Sequence, residues 1–216
     1  AHQWMITKGA FEEMLAVCDR VQLNGDVLPL TPERIRKLEQ TNAAMSGQGM
    51  RMIVVAYRQD VHQQEIYTPA DEQQMVLAGF LGFLDPAKPD AKEAIGLLGA
   101  HGVRVKVLTG DNAIITQHVA EEVGIANQLV ATGNDVDAMD DSALRQAVET
   151  TDLFVKLSPM QKARIIKTMR AAGHTVGYMG DGINDTAALR EADVSISVDT
   201  AADITKDASG IILLEK

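Results

Sequence analysis

The residues best suited to chemistry lie in Met179-Gly180-Asp181-Gly182-Ile183-Asn184-Asp185, which joins an apolar run, Val176 to Met179, to a helical pattern of Ala187, Ala188, Leu189 and Ala192. Glycines allow a sharp turn and a close approach of a ligand to the main chain. Asp181 and Asp185 are the oxygen ligands that Mg2+ favours, and Asn184 can donate to a phosphate oxygen without adding charge. Three further sets carry compatible chemistry. Thr109-Gly110-Asp111-Asn112 follows the apolar stretch Val103 to Leu108 and opens a helix, so the Thr109 hydroxyl and the Gly110 amide can donate to a phosphate at a helix N-terminus. Ser158-Pro159-Met160-Gln161-Lys162 starts another helix with a cation in its first turn, where the helix dipole disfavours one unless an anion balances it. Asp85-Pro86-Ala87-Lys88 follows a third apolar run, where Asp85 could anchor a loop or a nucleotide ribose. Singly, these residues also suit plain roles as helix caps, turns or a solvated lysine. Together, a hydroxyl, an ammonium and two carboxylates at several strand ends are the equipment of Mg2+-assisted phosphoryl transfer.

Placing those groups requires strands that alternate with helices. From Met75 onward, strand candidates (Leu77 to Leu84, Val103 to Leu108, Leu153 to Val155, Val176 to Met179, Val194 to Val198, Ile211 to Leu214) alternate with helical patterns near 90–100, 113–123, 142–148, 159–172, 185–191 and 201–207. This predicts an α/β unit over residues 75–216, a Rossmann-like parallel sheet with helices on both faces, in which ligands sit beyond the carboxyl ends of the strands. Gly102, Gly124 and Gly173 fall where helices end. The acidic stretch Asn134 to Asp141 reads as a solvated loop.

Residues 1–74 have a different texture and predict a smaller α+β unit. Trp4-Met5-Ile6 is strand-like and runs into Lys8-Gly9-Ala10, after which Phe11, Met14, Leu15 and Cys18 recur at helical spacing. Asn24-Gly25 between apolar residues predicts a hairpin, and Thr31-Pro32 opens a helix that ends near Gly47 and Gly49. Met50 to Arg58 is strand-like again, and the polar residues 59–74 read as a connection between the two units.

Composition narrows the partners. A formal net charge of -10 and the lack of any Lys/Arg block argue against nucleic acid and anionic membrane surfaces. The single cysteine rules out an internal disulfide and fits a reducing compartment. No apolar run approaches the roughly twenty residues of a membrane span.

The order and spacing of Thr109-Gly110-Asp111, Lys162 and Gly180-Asp181-Gly182-Ile183-Asn184-Asp185 resemble the haloacid dehalogenase superfamily, and more closely the phosphorylation domain of cation-transporting P-type ATPases. Lys8-Gly9-Ala10 and Gly49-Met50-Arg51 resemble that family's ATP-binding domain. Ala187 to Arg190, Ala192 to Val198 and the ending Ile211 to Lys216 look most like bacterial magnesium-transporting members.

The resemblance implies the C-terminal part of an ATP-binding domain over 1–74 and a phosphorylation domain over 75–216. It further implies ATP and Mg2+ as cofactors, with Asp181 as the Mg2+ ligand of this chain. Asp185 accompanies it there or supports the geometry. Thr109, Lys162 and Asn184 would contact the phosphoryl group, Gly110, Asp111 and Asp85 would lie near nucleotide and metal, and Lys8 and Arg51 would bind ATP. Lys88 departs from the arginine often found at its position and offers a point charge without the bidentate fork.

In such pumps an aspartate of an Asp-Lys-Thr-Gly-Thr motif is phosphorylated, and that motif does not occur in these residues. The expectation is therefore a cytoplasmic piece of an inner-membrane bacterial pump that acts with the remaining domains, ion choice being made by membrane helices outside it, and that does not turn over ATP alone. Two alternatives are a soluble phosphatase of the same superfamily and a non-catalytic nucleotide-binding module. The first needs its own nucleophilic Asp near the start, and residues 1–20 contain neither Asp-x-Asp nor Asp-Lys-Thr.

Overall fold

The computed structural model describes residues 3–59, 66–84, 86–125 and 129–214, which fall into two compact units, Ala1–Pro86 and Ala87–Lys216. The first unit comprises β1 (Trp4–Gly9), α1 (Phe11–Val17), β2 (Cys18–Leu23), β3 (Asp26–Pro29), α2 (Pro32–Ser46), β4 (Met50–Gln59) and β5 (Met75–Leu84). Its five-stranded sheet has the order β1-β4-β5-β2-β3 and is antiparallel except between β2 and β5.

The sequence-based boundary at 74/75 therefore differs from the observed division after Pro86. β5 reads as the first strand of a parallel sheet because it is a continuous apolar run, yet it lies at the centre of the first sheet. It pairs with β4 from Met50↔Leu84 to Tyr57↔Val76. A continuous apolar run does not say which sheet the strand joins, and here only Met75 to Leu77 are buried while Leu81, Phe83 and Leu84 are exposed.

Local signals in this unit act as the residues predict. Asn24 and Gly25 take φ of 51° and 94° in the hairpin turn, and the Thr31 hydroxyl accepts from the Arg34 amide to start α2 with Pro32 behind it. On β4, Met52, Val54 and Ala56 are buried, and Val54 and Ala56 join Phe11, Met14, Val21, Met75 and Leu77 in the core. Arg51, Ile53, Val55 and Tyr57 alternate onto the opposite face. Cys18 opens β2 rather than closing α1, and partial burial, helped by Asp19, pushes its thiol up to about 11.

The second unit contains α3 (Ala91–Ala100), β6 (Val107–Leu108), α4 (Ala113–Glu122), β7 (Val130–Thr132), α5 (Gly133–Ala138), α6 (Asp141–Thr150), β8 (Leu153–Val155), α7 (Pro159–Ala171), β9 (Gly177–Met179), α8 (Thr186–Glu191), β10 (Val194–Val198), α9 (Asp203–Asp207) and β11 (Ile211–Leu213). Gly102, Gly124 and Gly173 end α3, α4 and α7 with φ of 78°, 82° and 98°. The segment 134–141, expected as a loop, is mostly α5. Thr132 and Asp135 form a reciprocal capping box that a count of acidic residues conceals.

The expected parallel sheet is present as two three-stranded parallel ladders, β6-β8-β7 and β11-β10-β9. Side-chain alternation gives the first ladder two covered faces. Leu108, Ala131 and Phe154 pack with Val136, Leu144 and Ile165 on one side, while Val107, Val130 and Leu153 pack with Ile95, Ala120 and Val123 on the other. Tyr178 of the second ladder, with Val176 just before it, packs on Ile166, Ala188 and Leu189. Leu108 and Met169 touch both clusters, so α7 supports the two ladders together.

Candidate functional site

The Gly180–Asp185 turn leaves the carboxyl end of β9. Gly180 continues the ladder by donating to the Ile196 carbonyl at 3.1 Å, and the chain then folds back so tightly that a Cβ on Gly180 would stand 2.6 Å from Asp185 Cβ and 2.8 Å from its Cγ. Glycine is required here by the approach of the Asp185 side chain. A 3₁₀ turn over Ile183–Asp185 leads into α8; Asp181 before it and Asn184 on it are exposed.

Asp185 precedes α8 but does not cap it. Its carboxylate is held by three donors instead. Oδ1 accepts from Lys162 Nζ at 2.8 Å and from Tyr178 OH at 2.7 Å, and Oδ2 accepts from the Gly182 amide at 3.3 Å. Burial works against ionisation, but the Lys162 and Tyr178 hydrogen bonds outweigh it and hold the carboxyl below its ordinary range. Burial, followed by the hydrogen bond to the anionic Asp185, pushes the Tyr178 phenol far above its usual range, so Tyr178 is a permanent donor.

Lys162 is buried, at 9% exposure, in the first turn of α7. The sequence builds that turn with Pro159 at the first helical position and a capping box, in which Ser158 Oγ accepts from the Gln161 amide and Gln161 Oε1 accepts from the Ser158 amide at 2.7 Å. Gln161 Nε2 also donates to the Gly133 carbonyl and to Asp137, tying the start of α7 to α5. Lys162 is thus the buried cation that the first-turn position implied, with Asp185 as the nearest anion.

Thr109 lies at the carboxyl end of β6. Its amide donates to the Phe154 carbonyl and its carbonyl accepts from Leu157, while its Oγ1 accepts from the Asp111 amide at 3.0 Å. The hydroxyl proton remains a donor. Asn112, rather than Thr109 or Asp111, caps α4 through Ile115. A Cβ on Gly110 would meet only ordinary contact, 3.7 Å from the Leu157 carbonyl, so Gly110 leaves the backbone open without being demanded by its neighbours.

The structure therefore joins Lys162 to Asp185 directly and sets Thr109 and Asp181 at the carboxyl ends of strands in different ladders. Among the described residues no group of three His, Cys, Asp or Glu side chains converges as a metal cage. With Asp185 engaged by three donors, Asp181 is the exposed carboxylate of the turn. A single carboxylate completed by phosphate oxygens and water fits Mg2+, which rarely takes an all-protein cage.

In the first unit, Lys8 and Arg51 are exposed on one face of the sheet. Lys8 pairs with Val55, and Arg51 lies four residues along β4, about 13 Å away at the rise of a strand. Asp85 lies outside the described residues. The sequence reading missed Tyr178 and Gln161. Tyr178 looks like an ordinary apolar strand residue, whereas the Ser158-to-Gln161 spacing is a capping-box signal that was available.

Residues 1–90 match the family model described as P-type ATPase, cytoplasmic domain N. The chain is 41% identical over 215 residues to the P-type 1 magnesium-transporting ATPase of Escherichia coli K12, covering 100% of this chain and 24% of that protein. It is 44% identical over 214 residues to a magnesium-transporting ATPase of the same description from Salmonella typhimurium LT2, covering 98% of this chain and 24% of the relative. To a calcium-transporting ATPase of Listeria monocytogenes it is 31% identical over 213 residues, with 98% and 24% covered. The chain thus spans about a quarter of the length of these curated relatives. With identity running along essentially its whole length to such proteins, and with the Thr109, Lys162 and Gly180–Asp185 groups at the carboxyl ends of parallel strands or the start of α7, the chain belongs to the P-type cation-transporting ATPase family.

Proposed function

We propose that this chain is the nucleotide-binding and phosphoryl-handling part of an ATP-driven cation pump whose substrate ion is Mg2+ carried into a bacterial cell, and that it works at the cytoplasmic side of the inner membrane with the pump's other domains. The observation that carries this reading is the buried Lys162–Asp185 pair beneath the Gly180–Asp185 turn at the carboxyl end of β9. It supports a site in which a fixed ammonium meets an anion.

In the reaction, the γ-phosphoryl group of ATP passes to a carboxylate oxygen of an aspartate of the pump, forming an acyl phosphate as ADP leaves, and water then releases orthophosphate and restores the carboxylate. Lys162 donates to the phosphoryl oxygens, Thr109 adds its hydroxyl and Asn184 its amide, with Gly110 and Asp111 beside them. Asp181 would hold Mg2+, which would neutralise phosphoryl charge. Asp185 acts through Lys162 as its positioning partner, the supporting role of the two expected for it. Lys8 and Arg51 bind ATP on the open face of the first sheet.

The open edges of the two ladders support the same reading. β6 and β9 are edge strands of their ladders among the described residues, so each leaves one side open to a further strand, such as one ending in the phosphorylated aspartate. The test is phosphorylation of the whole pump with γ-labelled ATP. An acid-stable, hydroxylamine-sensitive label is expected, and Lys162→Ala or Asp181→Ala should lower it by at least about a hundredfold. Normal labelling in both variants would overturn the assignment.

A further inference from the structure

Tyr178 has no part in the roles above, yet it makes one of the shortest side-chain contacts at the site. Its hydroxyl donates at 2.7 Å to Asp185 Oδ1, the same oxygen that receives Lys162 Nζ at 2.8 Å. Tyr178 is buried at 8% exposure, its ring packed with Ile166, Ala188 and Leu189. Its hydroxyl position is therefore set by the core under β9, whereas Asp185 sits on a turn and Lys162 on a long, flexible stem. A carboxylate held by one ammonium can rotate about its last bond and let the ammonium follow. A second donor from a rigid aromatic ring removes that freedom.

We propose that Tyr178 is a positioning residue for Lys162: its hydroxyl occupies one lone pair of Asp185 Oδ1 and so fixes the direction in which Lys162 presents its two remaining N–H groups to a phosphoryl oxygen. This rests on the reading of Lys162 as a phosphoryl contact. The arrangement is sterically specific. The Gly182 amide holds the other carboxylate oxygen, and the Asp185 side chain lies against Gly180, so the carboxylate is bounded on each side. Phenylalanine would preserve the ring packing and remove only the fixed donor.

Two measurements test this. In the whole pump, inhibition of ATP hydrolysis by orthovanadate reads affinity for a phosphoryl-like oxyanion, and the KM for ATP reads nucleotide binding. Tyr178→Phe should weaken vanadate inhibition about tenfold and leave the KM for ATP unchanged. In a Lys162→Met background, where hydrolysis is too slow to inhibit, vanadate affinity read directly by vanadium NMR should show no further loss on Tyr178→Phe, because the coupling runs through Lys162. Equal effects of Tyr178→Phe in both backgrounds, or none in either, would overturn the proposal.

The second measurement needs neither turnover nor the Phe variant. The 216-residue chain contains three tyrosines and can be labelled with 3-fluorotyrosine, the Tyr178 resonance being assigned by replacing Tyr57 and Tyr67 in turn. That fluorine resonance should shift on Lys162→Met, and an unmoved resonance would overturn the shared contact. A pump that hydrolyses no ATP would refute the functional reading, while the fluorine experiment would still decide whether Tyr178 and Lys162 share the Asp185 carboxylate.

Discussion

At the scale of single residues, the turn is defined by groups that cannot be removed one at a time. Lys162 and Asp185 have side chains only 11% and 13% exposed. Lys162→Met would leave the Asp185 carboxylate with its desolvation cost and without its cation, and loss of about 3 kcal/mol is expected in urea unfolding of the second unit. Asp185→Asn should cost less, because the amide oxygen still accepts from Lys162 and Tyr178. Gly180→Ala places a methyl 2.6 Å from Asp185 Cβ. Neither atom is the end of a flexible side chain, so the turn must open, and the pump's phosphorylation should fall even where the fold survives. The sequence made the identity of these residues legible, since Gly, Asp and Asn at this spacing have few other uses. It hid Tyr178, because a contact to a residue seven positions away depends on how the turn folds back.

At the scale of elements, two devices hold the strands whose ends carry the site. At the amino end of β8, the buried Asp152 accepts from Lys106 Nζ at 2.9 Å and from Arg104 at 2.7 Å, joining β8 to the segment that leads into β6. Burial opposes ionisation of Asp152, but hydrogen bonds from Arg104 and Lys106 outweigh it and hold the carboxyl below its ordinary 3.8. The unfolded chain therefore binds the proton first. The contribution is complete above that ordinary value and is lost as pH falls through it and then through the lower folded value. Urea midpoints of the second unit should decline below about pH 4, and Asp152→Asn should flatten part of that decline.

At the carboxyl ends, Gly133 meets the start of α7 so closely that an added Cβ would lie 2.5 Å from the Lys156 carbonyl and 2.6 Å from Gln161 Oε1. Gly133→Ala should destabilise the unit by about 2 kcal/mol, read by thermal unfolding. The helices of this unit were legible from apolar spacing and caps. α5 was not, because its stabilising signal is a reciprocal pair of side chains within an acidic stretch.

At the scale of the whole molecule, the division after Pro86 makes a prediction that a boundary at 74/75 does not. β5 separates β4 from β2 in the first sheet and supplies Met75 and Leu77 to its core. A chain of residues 1–74 should fail to fold, whereas residues 1–90 should give a cooperative unfolding transition by circular dichroism. A folded 1–74 chain would place the central strand elsewhere. The 216-residue chain should also show no steady ATP hydrolysis, since Asp-Lys-Thr-Gly-Thr is not among its residues. Robust turnover that disappears in Asp181→Ala would mean that the chain carries a complete site.

The sequence by itself determined the family and the chemical inventory: which carboxylates, hydroxyls and cations are present, and that strand-to-helix turns display them. Those features are local, because a turn, a cap and a motif each depend on neighbours within a few residues. Tertiary structure decided which sheet receives β5, that the parallel strands form two ladders, and that Asp185 holds Lys162 and Tyr178. Each of those outcomes depends on strand pairing or on contacts between distant segments. The physical reason is that an apolar strand is equally content in any sheet that buries it, and a carboxylate on any turn can serve a metal or a lysine until the fold brings one of them within reach.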